Sequence, residues 1–239
     1  MKRWQHRAVA TSALLALLLP LAGCHARQRH DAAGSAAPAT PPSEKIVLFD
    51  GKDCSHWTHV DGKPVQWRLV DGTMEVVPGT GSIITKQVFQ DFKLHVEFNV
   101  PQSPPEAKGQ GRGNSGVYLQ RRYEVQILDS YGLDAKSNDC GALYGLKAPD
   151  KNVSRPPGEW QTYDMTFRAA RFEGEGRRAK KVQNARITVW HNGVLIHDDV
   201  ELENKTGAGQ PEGPQPGPIL LQDHGNKVRF RDIRIELKS

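Results

Sequence analysis

The stretch Asn114-Ser115-Gly116-Val117-Tyr118-Leu119-Gln120-Arg121-Arg122-Tyr123-Glu124-Val125-Gln126-Ile127-Leu128-Asp129 decides how this 239-residue chain is read. It reads as two strands, Ser115–Leu119 and Tyr123–Leu128, joined by the loop Gln120-Arg121-Arg122. With three residues in the loop, Tyr118 pairs with Glu124 and Gly116 with Gln126. Successive side chains leave a strand on opposite faces. One face then carries Val117, Leu119, Tyr123, Val125 and Ile127 and belongs in a core. The other carries Asn114, Gly116, Tyr118, Glu124 and Gln126. A two-residue loop would move Glu124 beside Leu119 and scramble the division. The expectation is a packed hairpin with an open polar side, where a glycine leaves room for a ligand. The alternative is a solvated outer face.

Outward from this hairpin, nearly every signal is strand. Phe92–Val100 alternates cleanly, with Phe92, Leu94, Val96, Phe98 and Val100 apolar and Lys93, His95, Glu97 and Asn99 polar. Asp71-Gly72 and Asn192-Gly193 mark tight hairpin turns, which need positive φ at both central residues. Further strands are read at Ile46–Phe49, Gln66–Val70, Thr73–Val77, Ser82–Lys86, Trp160–Arg168, Ala185–Trp190, Val194–His197, Ile219–Gln222 and Val228–Leu237. No segment has a helical period. About a dozen short strands predict an all-β jelly-roll sandwich of two curved antiparallel sheets. Pro101–Gly113, the region from Asp129 to Gly158, and Asn204–Gly217 are long loops, the kind that are usually functional or mobile.

The first residues stand apart from the fold. A charged start, the apolar run Ala8–Leu19 and Leu21-Ala22-Gly23-Cys24 predict a lipoprotein signal peptide over residues 1–23, with lipidation of Cys24. The motif resembles a bacterial lipobox, and His25 after the cysteine resembles proteins passed on to the outer membrane. Residues 24–44 are rich in Ala, Gly, Ser, Thr and Pro and are expected to be a disordered tether. The folded domain is expected over 45–239, held at the cell envelope by its lipid, periplasmic or at the outer membrane. Lys2, Arg3 and Arg7 leave with the signal, so 32 basic residues become 29 against 27 acidic ones, a net charge of +2. That balance gives no argument for nucleic acid. The basic cluster Arg177-Arg178-Ala179-Lys180-Lys181 has no interleaved aromatics and reads as a solvated hairpin tip. In an oxidising compartment Cys54 and Cys140 are either a disulfide or two separate buried thiols.

Three groups carry chemistry. The polar hairpin face offers Asn114, Tyr118, Glu124 and Gln126. Gln222-Asp223-His224-Gly225 ends an apolar strand, with Gln222 and His224 on one face and Asp223 on the other. Trp160 follows Gly158-Glu159 and stands next to Gln161. Glu124, Gln126 and Asp129 have a spacing found in β-sandwich glycosidases, but Asp129 joins the site only if the strand bulges after Gln126. Arg122 and Lys147 lie on flanking loops as further donors. No ligand spacing is diagnostic for a metal.

Leu48-Phe49-Asp50-Gly51-Lys52, Asn114–Tyr118, Tyr123–Asp129, Gly158-Glu159-Trp160-Gln161, Asn192-Gly193, and Leu221–Gly225 followed by Val228–Ile233 occur in that order. Over Ile46–Leu237 this resembles the 3-keto-disaccharide hydrolase domain family. The resemblance implies a concanavalin A-like (lectin/glucanase) fold and substrates already oxidised at sugar C3. The ketone acidifies the C2 hydrogen, and the glycosidic oxygen lies β to it. Proton abstraction, elimination and hydration then give net hydrolysis. This route uses one base, one acid, and donors or a divalent cation for the enolate oxygen. Glu124 and His224 are the expected base and acid, in either order. Asn114, Tyr118, Gln126 and Gln222 are expected to bind sugar hydroxyls, and Trp160 either stacks on a sugar face or, in the plainer reading, is a buried strand tryptophan. Two alternatives remain open at this stage: a non-catalytic carbohydrate-binding lipoprotein, and a conventional glycosidase using Glu124 and Asp129.

Overall fold

The computed structural model describes residues 44–238. The expected signal peptide, Cys24 and nearly all of the tether lie outside the described residues. The chain forms β1 (Lys45–Phe49), β2 (Trp57–His59), β3 (Arg68–Val70), β4 (Thr73–Glu75), β5 (Ile83–Thr85), β6 (Phe92–Asn99), β7 (Ser115–Leu119) and β8 (Tyr123–Ile127). After a long irregular stretch come β9 (Trp160–Arg168), β10 (Arg171–Glu173), β11 (Lys180–Gln183), β12 (Ala185–His191), β13 (Val194–Leu202), β14 (Leu220–Leu221) and β15 (Arg229–Leu237).

These strands make two main antiparallel sheets. The larger has eight strands in the order β13-β12-β9-β6-β15-β4-β3, with β1 also paired to β15. The smaller has five, β2-β5-β14-β7-β8. Alternation explains the packing. Along β6, Phe92, Leu94, Val96 and Phe98 are buried, while Lys93, His95, Glu97 and Asn99 stand on the outer face. β9 and β12 alternate in the same way. The inner faces close on one apolar cluster that includes Phe98, Val117, Val125, Tyr163, Phe167 and Phe230.

The opening hairpin has the expected register, with Tyr118 opposite Glu124 and Gly116 opposite Gln126. Its turn puts Gln120 (φ 53°) and Arg121 (φ 57°) in the left-handed region without any glycine. The expected open side is not open. Every residue of β7 and β8 is buried, because long loops cover the polar face. Three short strands escape the sequence reading, namely β2, β10 and β11. The last two pair as a separate hairpin whose tip carries the basic cluster. That hairpin is less detached than expected, since Lys181 Nζ reaches back to Glu212 Oε2 at 2.6 Å. Cys54 and Cys140 are two free thiols, not a disulfide. Cys140 is buried with Sγ 3.2 Å from Tyr163 Oη, and Cys54 is half-buried against the core.

Two buried histidines make the fold acid-sensitive. His191 Nε2 lies 2.9 Å from Gln161 Oε1 among Phe98 and Tyr163. His197 Nε2 lies 2.8 Å from the Gly141 carbonyl. Burial pushes their pKa values down to about 3 and about 4. Both stay neutral when folded, whereas the unfolded chain takes up protons below about 6.5. Stability supplied by these groups is therefore complete above about pH 6.5 and is lost as pH falls towards the folded values. Urea unfolding is expected to show a loss of up to about 3 kcal/mol per histidine by about pH 4. The slope should be shallower in His191→Gln, and an equal slope in that variant would refute the assignment.

Candidate active site

Under the covering loops lies a cavity of about 120 Å³, lined by Gln110, Asn114, Tyr118, Glu124, Gln126, Tyr144, Ala208, Gln222 and His224. Glu124 is its single carboxylate. Strand pairing aims the side chain here: Tyr118 and Glu124 are opposed, so the backbone of Glu124 faces away from β7. That outer edge is covered. Glu124 N donates to Thr206 Oγ1 at 2.6 Å, and Tyr144 N donates to Glu124 O at 3.2 Å. Farther along, Gln126 N donates to Ala142 O and Gly141 N to Gln126 O, both at 2.9 Å. The loop around Tyr144 thus continues the sheet irregularly and delivers the tyrosine to the cavity.

Two glycines flank the carboxylate. A Cβ on Gly116 would stand 2.6 Å from Glu124 Oε1, and one on Gly207 would stand 2.1 Å from Oε2. Glu124 is 2 % exposed. Burial pushes its pKa up to about 7, and the Tyr118 hydroxyl opposes the shift by hydrogen bonding to the charged form. Tyr118 accepts in turn from Gln222 Nε2 at 3.1 Å. Gln222 Oε1 is buried with no protein partner, which leaves an acceptor for a hydroxyl. The Gln126 amide sits 3.1 Å from Glu124 Oε1 and 2.8 Å from the Ser115 carbonyl. Both are acceptors, so its nitrogen belongs on that side and donates to the carboxylate. Asn114 is held by Nδ2 donating to the Gln110 carbonyl at 2.8 Å.

His224 reaches the cavity from an exposed turn. Asp223 points the other way, as expected from alternation, and pins that turn by accepting from Gly79 N at 2.8 Å and Gly81 N at 2.9 Å. The arrangement places a buried carboxylate that titrates near neutrality beside a solvent-accessible imidazole. A base with a pKa near the working pH is efficient. For the divalent cation that the sequence left open, the lining offers only Glu124 and His224 as strong ligand types, whereas catalytic zinc sites use three protein ligands.

Four expected site residues lie elsewhere. β8 runs regularly through Ile127, and Asp129 instead accepts from Arg112 Nη2 at 2.6 Å and Nε at 3.1 Å. Trp160 is on the outer face of the larger sheet, with the Arg231 guanidinium carbon 4.0 Å from its ring centroid. Arg122 secures a covering loop, Nη1 donating to the Gln215 carbonyl at 3.0 Å. Lys147 pairs with Asp150. The residues not foreseen are Gln110, Tyr144 and Ala208 with its neighbour Gly207. Each comes from one of the three long loops, so loop length was the available signal.

Comparison with known proteins identifies the family of the fold. Residues 44–236 match the 3-keto-alpha-glucoside-1,2-lyase-like domain family. A 3-keto-disaccharide hydrolase of Bacteroides thetaiotaomicron is 26% identical over 238 residues, covering 80% of this chain and 78% of its own. A Parabacteroides distasonis crystal structure assigned as a glycosyl hydrolase is 34% identical, covers 91% of this chain and 100% of its own, and superposes with a TM-score of 0.78. A second from that organism, at 19% identity and a TM-score of 0.62, shares the fold, covering 82% of this chain and 94% of its own. A jelly-roll of two antiparallel sheets, matched over residues 44–236, places the chain in the 3-keto-alpha-glucoside-1,2-lyase-like domain family of carbohydrate-active proteins.

Proposed function

We propose that the protein cleaves the glycosidic bond of glycosides already oxidised to a ketone at sugar C3. The observation that carries this reading is Glu124, a lone carboxylate buried in the cavity with its pKa raised to about 7. Its burial and poise suit it as the base, and exposure at the mouth suits His224 to the leaving group. Glu124 takes the C2 proton, and the C–H electrons pass into an enolate whose oxygen is on C3. The Tyr144 hydroxyl supplies a hydrogen-bond donor for that oxygen. The enolate electrons return, the bond from C1 to the glycosidic oxygen breaks, and His224 protonates the leaving oxygen. Water then adds across the enone and completes a net hydrolysis. A conventional glycosidase needs two carboxyls about 5–10 Å apart across the bond, and Asp129 is held away by Arg112. A lectin has no use for a buried carboxylate poised near neutrality. Lipid anchoring through Cys24 would place the reaction at the bacterial cell envelope.

The test is incubation with a 3-keto-disaccharide and with its unoxidised parent. Cleavage of the keto form alone is expected, with an enone or its hydrate as product. Cleavage of the parent at a comparable rate would favour a conventional glycosidase. Binding of both sugars without turnover would favour a lectin.

A further inference from the structure

On the far side of the sandwich, the outer face of the larger sheet carries a second cluster that the proposed reaction does not use. His95 on β6 lies beside Glu97 on the same strand and Asp232 on β15, with ligand atoms of all three within 4.8 Å of one another. Pairing of β6 with β15 shifts register between Arg231 and Arg234, and Asp232 there takes φ 44°. This bulge turns the Asp232 carboxylate towards the histidine. Asp164 on β9 lies 2.7 Å from His95 Nδ1. A carboxylate is an acceptor, so it accepts the Nδ1 hydrogen bond and orients the ring with Nε2 towards the other two carboxylates. That Nε2 is buried and has no hydrogen-bond partner. It faces two anionic oxygens, Glu97 Oε1 at 4.0 Å and Asp232 Oδ2 at 3.8 Å.

A ring nitrogen facing two carboxylate oxygens needs a proton or a metal ion between them, and at 4.0 and 3.8 Å neither oxygen is within hydrogen-bond reach of Nε2. We infer that His95, Glu97 and Asp232 form a binding site for a divalent transition cation such as zinc. Zinc bonds of about 2.0–2.2 Å set tetrahedral ligands about 3.4 Å apart, so closing the observed gaps takes only small side-chain movements. Asp164 would serve as the carboxylate behind the ligating imidazole that such sites use to fix the tautomer. Arg231 and Arg234 do not fill the site. Arg231 Nε bonds Glu97 Oε2 at 2.5 Å, which leaves Oε1 free. Arg234 holds Asp232 Oδ1 at 2.8 Å and shares Oδ2 at 2.9 Å, and that oxygen retains a lone pair. The Asp232 side chain is 42% exposed, which gives the site access from solvent.

Zinc chloride titrated calorimetrically into chelator-stripped full-length protein tests the site. One ion per chain is expected, with a rise in Tm of several degrees. His95→Ala should lose at least tenfold in affinity and the Tm rise, and Asp164→Asn should weaken binding less. Glu124→Gln should bind as the wild type does. The metal-free Tm of each variant reports whether it is folded. His95→Asn, which keeps a polar group of similar size, stands in if the alanine variant is not. Binding unchanged in the folded His95 variant, binding lost in Glu124→Gln, or no binding by the wild type would each overturn the inference.

Discussion

Glu124→Gln is expected to lower kcat/KM for a 3-keto-disaccharide by about 10³-fold, within the range that general bases supply. Gln keeps the volume and the contacts to Tyr118 and Gly116 but cannot take a proton. The loss should therefore fall on kcat, with KM little changed. Glu124→Asp retains the base but draws it back along the side chain, and misplacement of about 1 Å costs on the order of 10²-fold. A Gln variant that retains more than about a tenth of wild-type activity would remove Glu124 from the role of base. The rising limb of the wild-type rate should lie at about pH 7, where the buried carboxylate ionises. Tyr118→Phe removes the hydrogen bond that favours the charged form, so the rising limb should move to higher pH. A limb that stays in place, or moves down, would show that Tyr118 does not bond the carboxylate.

The same carboxylate leaves a mark on stability, with a sign opposite to that of the buried histidines. Its folded pKa is raised above the unfolded value, so its contribution is intact below about pH 4.5 and is lost as pH rises through about 7. Above that range the penalty approaches about 3 kcal/mol. Glu124→Gln should thus melt higher than wild type at alkaline pH and equally at about pH 4.5. A residue that is needed for rate and costs stability is the pattern expected of an active site.

Periodicity made the inner architecture legible. The alternation in Phe92–Asn99 and Trp160–Arg168, the positive φ at Asp71-Gly72 and Asn192-Gly193, and the register of Tyr118 with Glu124 were all readable from spacing. What spacing could not give was the cover. A strand pattern says which side chains share a face, not whether a loop more than eighty positions away lies on that face. Thr206 meets Glu124 through a backbone bond to a hydroxyl, and nothing in the local sequence of either residue announces it. Asp129 was misplaced for a related reason. Its partner, Arg112, sits at the end of a loop whose path no periodicity fixes. Trp160 was drawn into the site by its neighbours in sequence, although its alternation within β9 already placed it on the outer face.

Gly207→Ala is the second change expected to abolish most activity, and it tests the cover itself. Gly207 has φ +52°, and its missing Cβ would fall 2.1 Å from Glu124 Oε2 and 3.3 Å from Tyr144 Cδ1. The alanine methyl must therefore displace either the carboxylate or the loop. Loop movement is resisted by Thr206 N bonded to Arg122 O at 3.0 Å, by Gln210 N bonded to Arg121 O at 2.9 Å, and by the pairing of Gly217 with Phe89. On its other side the carboxylate lies against Gly116, where a Cβ would stand 2.6 Å from Oε1, so its way out is into the cavity that the substrate is proposed to fill. A loss of at least about 10²-fold in kcat/KM follows from misplacing the base. Placing Ala in the left-handed region adds a stability cost of about 1–2 kcal/mol by itself. Gly176→Ala separates the two effects. Gly176 also has φ +52°, but its Cβ would meet nothing within 4 Å. It should lose comparable stability and retain wild-type kcat/KM. If both variants keep full activity, the loop over Glu124 yields easily and does not hold the carboxylate in place. If Gly207→Ala alone loses activity while both melt alike, the glycine is there to let backbone close on the base, and the narrow cavity is itself part of the catalytic apparatus.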